Sequence, residues 1–489
     1  MRGSAHSSGP GLVSARVAVV GGGLAGIAAA LDCAAAGAQV TLLEVRPRLG
    51  GAAYSFEREG LRMDNGQHVF LRCCSAYRAL LARIGGERGV HLQPRLEIPV
   101  LSPAAKATVL RRSRLPAPLH LAGALARYSY LTIPQRVRAA RVALALKRLH
   151  PDAPGLDERN LGEWLAAHGQ DADAVAALWD LIALPTLNLP AAQASLALGA
   201  FVFRKGLLER ADAGDIGFHR RPLSEIVGEP AARALRAAGV QLRLGWRAQE
   251  LRRTEEGFEV LRATAARSAA EQDEDGGDDE GRVAQRTGAD ASSEDGSERA
   301  HAVIVALPHA RAARLIEPLD ARAAARAGAL REEPIVNLHV LYDRVVCEQP
   351  FAAGVRTPVQ YVFDRSAAGG VGEGYAGRAD GHQYLAVSLS GAEREMGMSV
   401  DALRERYLPA LAALFPRARA ARVERFVATR EHAATFRAQP GSAALRCGPR
   451  TAVPGLALAG AWTATGWPAT LEGAVLSGHT AARCALEAL

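Results

Sequence analysis

The first candidate chemistry in this sequence is the binding of a pyrophosphate, because Gly21, Gly23 and Gly26 have G-x-G-x-x-G spacing. Gly21 allows a tight turn, Gly23 lets the backbone approach a phosphate, and Gly26 lets a following helix pack close to a sheet. The N-terminus of that helix, at Leu24 and Ala25, would present free N–H groups and a positive dipole end to the phosphates. These residues predict a dinucleotide site.

A β-α-β unit is expected to position the glycines. The β-rich run 17–20 precedes them, an alanine-rich helix follows to about Ala36, and a second strand, QVTLLE, ends at Glu44. Glu44 lies eighteen residues after Gly26, where an acidic side chain can accept hydrogen bonds from a ribose diol. Because all of these parts are in register, the unit predicts dinucleotide binding and not merely a tight turn.

Three further stretches resemble the flavoprotein amine oxidase and carotenoid desaturase superfamily. RPRLGG at 46–51 is similar to the extension beside the pyrophosphate and ribityl chain. MDNGQHVF at 63–70 resembles the turn beside the isoalloxazine, and 459–478 resembles the C-terminal flavin turn and helix. The resemblance implies FAD as cofactor, contacted by Arg46, Arg48, Gly50, Gly51, Gly66, Gln67, His68, Gly460, Ala461, Pro468, Thr470 and Leu471, with the backbone at Ala248 near the adenine.

Ala461 departs from the superfamily signature, which has an aspartate at this position. The resemblance therefore implies that one hydrogen bond to the ribityl or phosphate region is missing, a loss that typically costs about 1 kcal/mol. For His68, two roles stay open. The imidazole could contact the ring or substrate, or it could be a hydrogen-bonded structural histidine.

The middle of the chain resembles one branch of the superfamily, the squalene-associated FAD-dependent desaturases, whose members are hydroxysqualene dehydroxylases. The similar stretches are 114–125, 178–208, 214–235 and 332–344. The resemblance implies an α/β fold in which a Rossmann-like FAD-binding domain of the glutathione-reductase type is joined to a discontinuous α+β substrate domain. It further implies that hydroxysqualene loses its allylic hydroxyl to give squalene, with hydride from reduced FAD. The external reductant is left unknown.

Such a reaction needs a general acid, because hydroxide is a poor leaving group. The candidates are His68, Asp64 and His219, in that order, and each could equally be structural. The stretch 196–203 and the segment 114–150 could supply the walls of an isoprenoid tunnel. Three other functions stay open: a carotenoid or phytoene desaturase, a flavin amine oxidase, and a non-enzymatic FAD-containing protein at a membrane.

With 489 residues, the chain exceeds the size at which one core stops growing, so at least two domains are expected. We expect the FAD-binding domain to comprise 16–72, 210–264, 301–330 and 445–489, and the substrate and membrane-associating domain to comprise 73–209 and 331–444. Residues 1–15 are expected to be a disordered tail. Residues 265–300 contain 11 acidic and 4 basic residues and almost nothing apolar, which predicts a disordered insertion.

The charge distribution predicts an anionic partner. Residues 104–150 contain ten Lys or Arg residues and no Asp or Glu. Since no nucleic-acid recognition motif accompanies them, an anionic membrane surface is expected and nucleic acid is not. Val142, Leu146 and Leu149, at i, i+4 and i+7, would face the lipid; alternatively they face the protein core and the arginines are solvated.

The remaining composition predicts a reduced cytoplasmic protein, peripheral on the inner face of the membrane. The sequence contains no continuous apolar run of 18 residues, and its first fifteen residues do not resemble a signal peptide. The six cysteines have neither CxxC nor metal-type spacing, so structural cysteines and no bound metal are expected.

Overall fold

A computed structural model describes residues 15–263, 296–371 and 381–489. The strands are β1 (Arg16–Val20), β2 (Gln39–Glu44), β3 (Ser55–Arg58), β4 (Leu61–Asp64), β5 (Val69–Leu71), β6 (Val90–Leu92), β7 (Glu97–Ser102), β8 (Ala105–Arg111), β9 (Ile216–His219), β10 (Gln241–Leu244), β11 (Ala248–Thr254), β12 (Gly257–Arg262), β13 (Ser297–Ala300), β14 (Ala302–Val305), β15 (Glu332–Tyr342), β16 (Phe351–Gly354), β17 (Tyr361–Asp364), β18 (Gln383–Ser390), β19 (Val423–Phe436) and β20 (Leu456–Leu458).

The helices are α1 (Leu24–Ala35), α2 (Ser75–Ile84), α3 (Ala122–Ala126), α4 (Ile133–Arg148), α5 (Leu161–Ala167), α6 (Ala172–Ala174), α7 (Asp180–Leu187), α8 (Leu196–Phe203), α9 (Glu229–Ala237), α10 (His309–Ile316), α11 (Ala321–Gly328), α12 (Glu393–Met396), α13 (Val400–Leu414), α14 (Ser442–Leu445) and α15 (Leu471–Leu486). Short 3-10 segments occur at Glu87–Gly89, Leu119–Leu121 and Pro416–Ala420, and π-helical segments at Val175–Trp179, Arg204–Leu208 and Ser224–Gly228.

A parallel five-stranded sheet, in the order β10-β2-β1-β14-β20, forms the centre of the first domain. Alternate residues of β1 face opposite sides, as in any strand. Val17 and Val19 pack in one hydrophobic cluster with α1 and α15, whereas Ala18 and Val20 lie in a second cluster with the antiparallel sheet β11-β12-β13. This three-layer arrangement confirms the predicted α/β fold, and β1, α1 and β2 confirm the predicted β-α-β unit.

The second domain is built on a seven-stranded sheet in the order β19-β15-β18-β17-β16-β7-β8. The side chains of its long strand β15 alternate between apolar and polar. Val336 and Leu338 are buried in one cluster with α13, while Asn337 and His339 point to the other face, where the β3–β4 hairpin and the segment after it lie. β15 therefore directs two polar side chains toward the first domain.

Two predicted domain boundaries are wrong. Tyr77, Leu80 and Ile84 of α2 pack in the same cluster as α1 and α15, so the first segment of the FAD-binding domain extends beyond residue 72. Residues Ser297–Ala300 form β13, which pairs with β12. The predicted insertion, 265–300, therefore wrongly included these four residues of the fold. The predicted tail up to residue 14, and residues 264–295 of the insertion, lie outside the described residues.

The predicted membrane-facing side of α4 is also wrong. Val142 and Leu146 are 3% and 0% exposed, and Leu149 packs against the same cluster, so this side faces the protein core. Most of α8 is packed into that core as well, so most of its apolar side chains are ordinary core and do not line a tunnel. In the described ranges, no helix is both long and apolar enough to cross a membrane.

Candidate active site

The contacts of the protein itself require Gly21 and Gly26 to be glycine. A Cβ on Gly21 would lie 2.3 Å from the carbonyl oxygen of Ala306, and Gly21 has a φ of +110°. A Cβ on Gly26 would lie 1.8 Å from the carbonyl oxygen of Gly21. The start of α1 is therefore held directly against the end of β1. The free N–H groups of the helix lie at the carboxyl end of the parallel strands.

Gly23 has no such requirement from its neighbours. A Cβ there would meet, among the described residues, only the Cα of Gly51 at 3.8 Å. The N–H of Gly50 donates to the carbonyl of Gly22 at 2.9 Å, which holds the second glycine turn opposite the first. The two turns leave a cradle that a side chain at Gly23 would begin to fill. This arrangement fits a pyrophosphate.

Glu44 and Arg48 border this cradle. The Glu44 carboxylate is 7% exposed and accepts hydrogen bonds from the N–H of Gly22 at 2.6 Å and of Arg46 at 2.8 Å. Each of its oxygens keeps a further lone pair, so the predicted contact with a ribose hydroxyl stays compatible with the structure. The guanidinium of Arg48 donates to the carbonyl of Gly51 at 3.2 Å, beside the second turn.

The adenine contact predicted at Ala248 falls on the first residue of β11. The pairing of β11 with β12 is irregular between Ala248 and Glu250, and the N–H of Trp246 donates to the carbonyl of Glu44 at 2.9 Å. Ala248 is thereby anchored near the end of β2, although the adenine contact itself stays a prediction.

The C-terminal turn leads into α15 as the sequence predicts. Gly460 has a φ of +140°, and its N–H donates to the Ser477 hydroxyl at 2.8 Å. Thr470 caps α15, because its hydroxyl accepts from the N–H of Gly473 at 3.2 Å, and the helix begins at Leu471. Pro468 is buried and Ala461 half-buried in the intervening turn.

Arg446 holds this turn in place, and the sequence analysis did not identify it. Its buried guanidinium donates to the carbonyls of Thr463 and of Trp467, the latter at 2.6 Å, and to that of Trp462 at 3.2 Å. Burial lowers the pKa of Arg446 to about 10, so it is still charged at neutral pH. No local pattern marks this arginine, because its acceptors are backbone carbonyls 16 to 21 residues away.

Glu472, within the C-terminal signature, has a structural role. Its carboxylate is 2% exposed and accepts from the N–H groups of Ala76 at 3.0 Å and Tyr77 at 2.7 Å, at the start of α2. These are donors that a helix start leaves without intrahelical partners. Burial raises the pKa of Glu472, while the two N–H groups favour its ionised form. Glu472 thus ties α15 to α2.

The candidate acid Asp64 is an acceptor in this structure. Its Oδ1 accepts from the hydroxyl of Ser55 at 2.6 Å and the N–H of Leu223 at 3.0 Å, and its Oδ2 is paired with the Arg365 guanidinium. Arg365 also donates to the carbonyl of His219. A carboxylate that accepts from three donors, one of them a guanidinium, is held as an acceptor, so this arrangement argues against Asp64 as the general acid.

His219 is also fully engaged. Its Nδ1 lies 2.7 Å from the carbonyl oxygen of His68, which can only accept, so Nδ1 carries the proton. Its Nε2 therefore accepts from the Tyr77 hydroxyl at 2.7 Å, and burial raises the pKa of Tyr77. Burial lowers the pKa of His219 to about 3. His219 is neutral near pH 7 and positions the backbone of His68.

His68 is the candidate acid that the structure leaves available. The ring is half-buried, its Nδ1 lies 3.3 Å from the carbonyl of Gly66, and Nε2 has no partner among the described residues. Burial lowers the pKa of His68. The ring borders a cleft between the two domains, lined by Asp64, Gln67, His68, Val69, Phe218, His219, Pro350, Phe363, Asp364 and Arg365.

Two buried amide atoms beside this cleft have no hydrogen-bond partner among the described residues: Nε2 of Gln67 and Oδ1 of Asn337. Asn337 is 2% exposed, and a Cβ on Gly66 would lie 3.7 Å both from its Nδ2 and from Cε1 of His68. Buried polar atoms are rarely left unpaired in native proteins. A polar ligand beside the Gly66 turn would satisfy them, and the polar edge of a flavin ring has the donors and acceptors to do so.

The parallel sheet, the facing glycine turns and the unpaired amides together fit a flavoprotein that binds FAD. The sequence signature of the family described as "Flavin containing amine oxidoreductase" matches residues 24–486. The chain belongs to this family and is an FAD-dependent oxidoreductase.

Comparisons with individual proteins agree. The chain is 28% identical over 478 residues to "Hydroxysqualene dehydroxylase" of Sinorhizobium fredii, covering 96% of this chain and 98% of that protein. It is 29% identical over 481 residues to the protein of the same name from Rhodopseudomonas palustris, with coverages of 97% and 99%. Similarity to a zeta-carotene desaturase of Zea mays is 31% over 186 residues, covering 36% of this chain and 32% of that protein.

Among solved structures, an engineered putrescine oxidase superposes with a TM-score of 0.68 at 18% identity, covering 97% of this chain and 99% of the other. This likeness concerns the fold alone. Since it covers nearly the whole chain, it includes the seven-stranded sheet as well as the parallel sheet.

Proposed function

We propose that this protein replaces the allylic hydroxyl of hydroxysqualene with hydrogen and so produces squalene. The observation that carries the proposal is the extent of similarity. Two proteins named hydroxysqualene dehydroxylase align over 98% and 99% of their lengths, whereas the zeta-carotene desaturase of Zea mays aligns over 32%. Similarity that extends through both domains supports a shared substrate class as well as a shared cofactor.

The reaction requires a hydride and a proton. FAD bound in its two-electron reduced form supplies the hydride, whose electron pair makes the new C–H bond. The C–O bond breaks as the oxygen takes a proton and leaves as water. The half-buried His68 ring at the cleft can hold that proton at Nε2. A positioned acid typically contributes about 10² to 10⁴-fold in rate.

The surrounding residues hold His68 in place. His219 fixes the His68 carbonyl, and Arg365 in turn fixes the His219 carbonyl. Phe218 and Phe363 add apolar side chains to a cleft lining that is otherwise largely polar. An available imidazole beside apolar side chains suits a hydrocarbon that carries a single hydroxyl.

An anaerobic flavin assay tests the proposal. Photoreduced enzyme mixed with hydroxysqualene in detergent should regain the oxidised flavin spectrum and yield one squalene per flavin. In the matched experiment, oxidised enzyme mixed with phytoene or putrescine should keep its spectrum. Bleaching by phytoene would indicate a desaturase and bleaching by putrescine an amine oxidase, and either result without squalene formation would contradict the proposal.

A further inference from the structure

The exposed apolar side chains of this protein are concentrated in one region. Of the ten large hydrophobic side chains that are exposed in the described chain, six lie between residues 109 and 144: Val109, Leu115, Leu119, Ile133, Val137 and Leu144. Ile133 has the largest exposed fraction, 72%. Single exposed hydrophobics are ordinary on a protein surface, but a concentration of this kind marks an interaction site.

Helix α4 carries the centre of this region on its outward side. Its inward side is Gln135, Ala139, Val142 and Leu146. At about 100° per residue, Ile133, Val137 and Leu144 fall within about 40° of one another, on the opposite side of the helix. The helix is therefore apolar on two faces, and only one of them is covered by the protein.

Leu119 belongs to the same region. It starts the short 3-10 segment that leads into α3, and α3 packs on α4. The Arg136 guanidinium fixes this contact by donating to the carbonyl of Ala126 at 2.5 Å and to that of Leu131 at 2.9 Å. The segment that carries the exposed Leu119 is thereby held against α4.

Cations flank the outward stripe, whereas the carboxylate of Asp171 contacts α4 elsewhere, at Gln135 and Arg138. Arg141 and Arg148 are exposed on one side of the stripe and Lys147 is half-buried on the other. Within the described ranges, none of the three forms an ion pair with an Asp or Glu. Residues 104–150, which include α3 and α4, contain ten Lys or Arg and no acidic residue.

We propose that this α4 face, defined as Leu119, Ile133, Val137 and Leu144 with Arg141, Lys147 and Arg148, lies on an anionic lipid bilayer. An apolar stripe bordered by cations on a helix parallel to the surface matches the interface between acyl chains and anionic headgroups. A second copy of this chain would oppose cations to cations. A nucleic acid would neutralise the cations but leave Ile133, Val137 and Leu144 in water.

The position of this face also suits an apolar substrate, an argument that rests on the proposed function. A buried apolar cluster containing Tyr128, Leu131, Phe218 and Phe363 has Leu121 and Leu125 packed against it. Leu121 and Leu125 belong to the segment that leads into and forms α3, which packs on α4, while Phe218 and Phe363 line the cleft beside His68. One apolar cluster therefore connects α3 with the candidate active site.

Co-sedimentation of the FAD-loaded protein with vesicles tests the docking proposal without any substrate. Wild-type protein should bind phosphatidylcholine vesicles that contain phosphatidylglycerol, and added salt should weaken the binding. The triple variant Ile133→Ser, Val137→Ser, Leu144→Ser should reduce the partition coefficient by about tenfold or more. The triple variant Arg141→Gln, Lys147→Gln, Arg148→Gln should reduce it several-fold and remove most of the salt dependence.

A matched control lies on another surface helix. α13 exposes Val400 and Arg404 but also Asp401 and Glu405, so Val400→Ser with Arg404→Gln should bind vesicles as wild type does. The flavin spectrum of each variant reports whether it is folded. Wild-type protein that stays in the supernatant at low salt, or an apolar variant that binds as tightly as wild type, would overturn the proposal. Binding to duplex DNA that the serine variant retains would assign the face to nucleic acid instead.

The vesicle result and the flavin result are separable. Squalene formation in detergent without vesicle binding would contradict only the docking face. Vesicle binding without any reaction with hydroxysqualene would contradict only the proposed function.

Discussion

His68 is the side chain on which the proposed chemistry depends most directly. Replacing it by glutamine should lower the rate of hydroxysqualene-dependent flavin reoxidation by about 10² to 10⁴-fold, because the acid is lost while a polar side chain stays at the cleft. Single-turnover stopped-flow measurements would report this rate. His150→Gln, at an exposed position outside the cleft lining, is a matched control and should react at the wild-type rate.

The rate of flavin reoxidation by hydroxysqualene should increase as the pH falls. The reaction needs protonated His68, and burial lowers the pKa of this ring below its ordinary value of about 6.5. The rate should therefore rise as the pH falls through this lowered pKa, and His68→Gln should flatten the profile. A rate that instead rises with pH in wild type would show that His68 is not the acid.

Acid should also destabilise the fold. The pKa of His219 is lowered by burial to about 3 and that of His339 to about 4, so the unfolded chain binds more protons than the folded one below about pH 6.5. Stability is then lost as the pH falls. Rates at low pH should be normalised to the flavin that remains bound.

Ala461 stands where the superfamily signature has an aspartate, so the signature residue can be introduced at this position. Ala461→Asp should leave FAD affinity equal or tighter, since an aspartate there can accept a hydrogen bond from the ribityl region, typically worth about 1 kcal/mol. Flavin fluorescence on titration of apoprotein with FAD would measure the change. Ala464→Asp, on an exposed residue of the same turn, is the control for added charge. Clearly weaker binding by Ala461→Asp alone would show that this turn departs from the superfamily geometry.

At the scale of elements, the junction of α15 with α2 depends on one carboxylate. Glu472→Ala should lower the free energy of unfolding by about 1 to 3 kcal/mol, because two buried N–H groups at the start of α2 lose their acceptor. Glu472→Gln should recover part of this loss, since its amide oxygen can still accept. Urea unfolding, monitored through the release of flavin, would measure the stability of both variants. Equal stability of Glu472→Ala and wild type would mean that the α2 N-terminus is satisfied in another way.

At the scale of the whole molecule, residues 264–295 are predicted to be dispensable. The chain leaves and re-enters the fold at one place, because the N–H of Arg262 donates to the carbonyl of Gly296 at 2.7 Å. Joining Ala263 to Gly296 through a short Gly-Ser turn should preserve FAD content and turnover. A large loss of either would show that the acidic segment is functional.

A longer deletion is the matched comparison. Removing residues 264–300 also removes β13, in which Ala300 is 2% exposed and packs in the core cluster beneath the parallel sheet. This deletion should reduce the yield of FAD-loaded protein. The contrast between the two deletions would place the functional boundary at Gly296.

The sequence by itself determined the cofactor and the local scaffold that binds it. The glycine spacing, the β-α-β order and the C-terminal turn are patterns within stretches of about 6 to 35 residues, and propensity and turn geometry act at that range. In each case the residues that specify the element are close together in the chain.

Only the tertiary structure decided which of the predicted residues meet, and what they do. Asp64 is paired with Arg365 from 301 residues away, and His219 with the carbonyl of His68 from 151 residues away, which leaves His68 as the available acid. Likewise, α4 is apolar on two sides, and helical periodicity cannot tell which one a protein core will cover. Val142 and Leu146 turned inward, and Ile133 and Val137 were left facing out, because the core that selects between the two faces is assembled from distant parts of the chain.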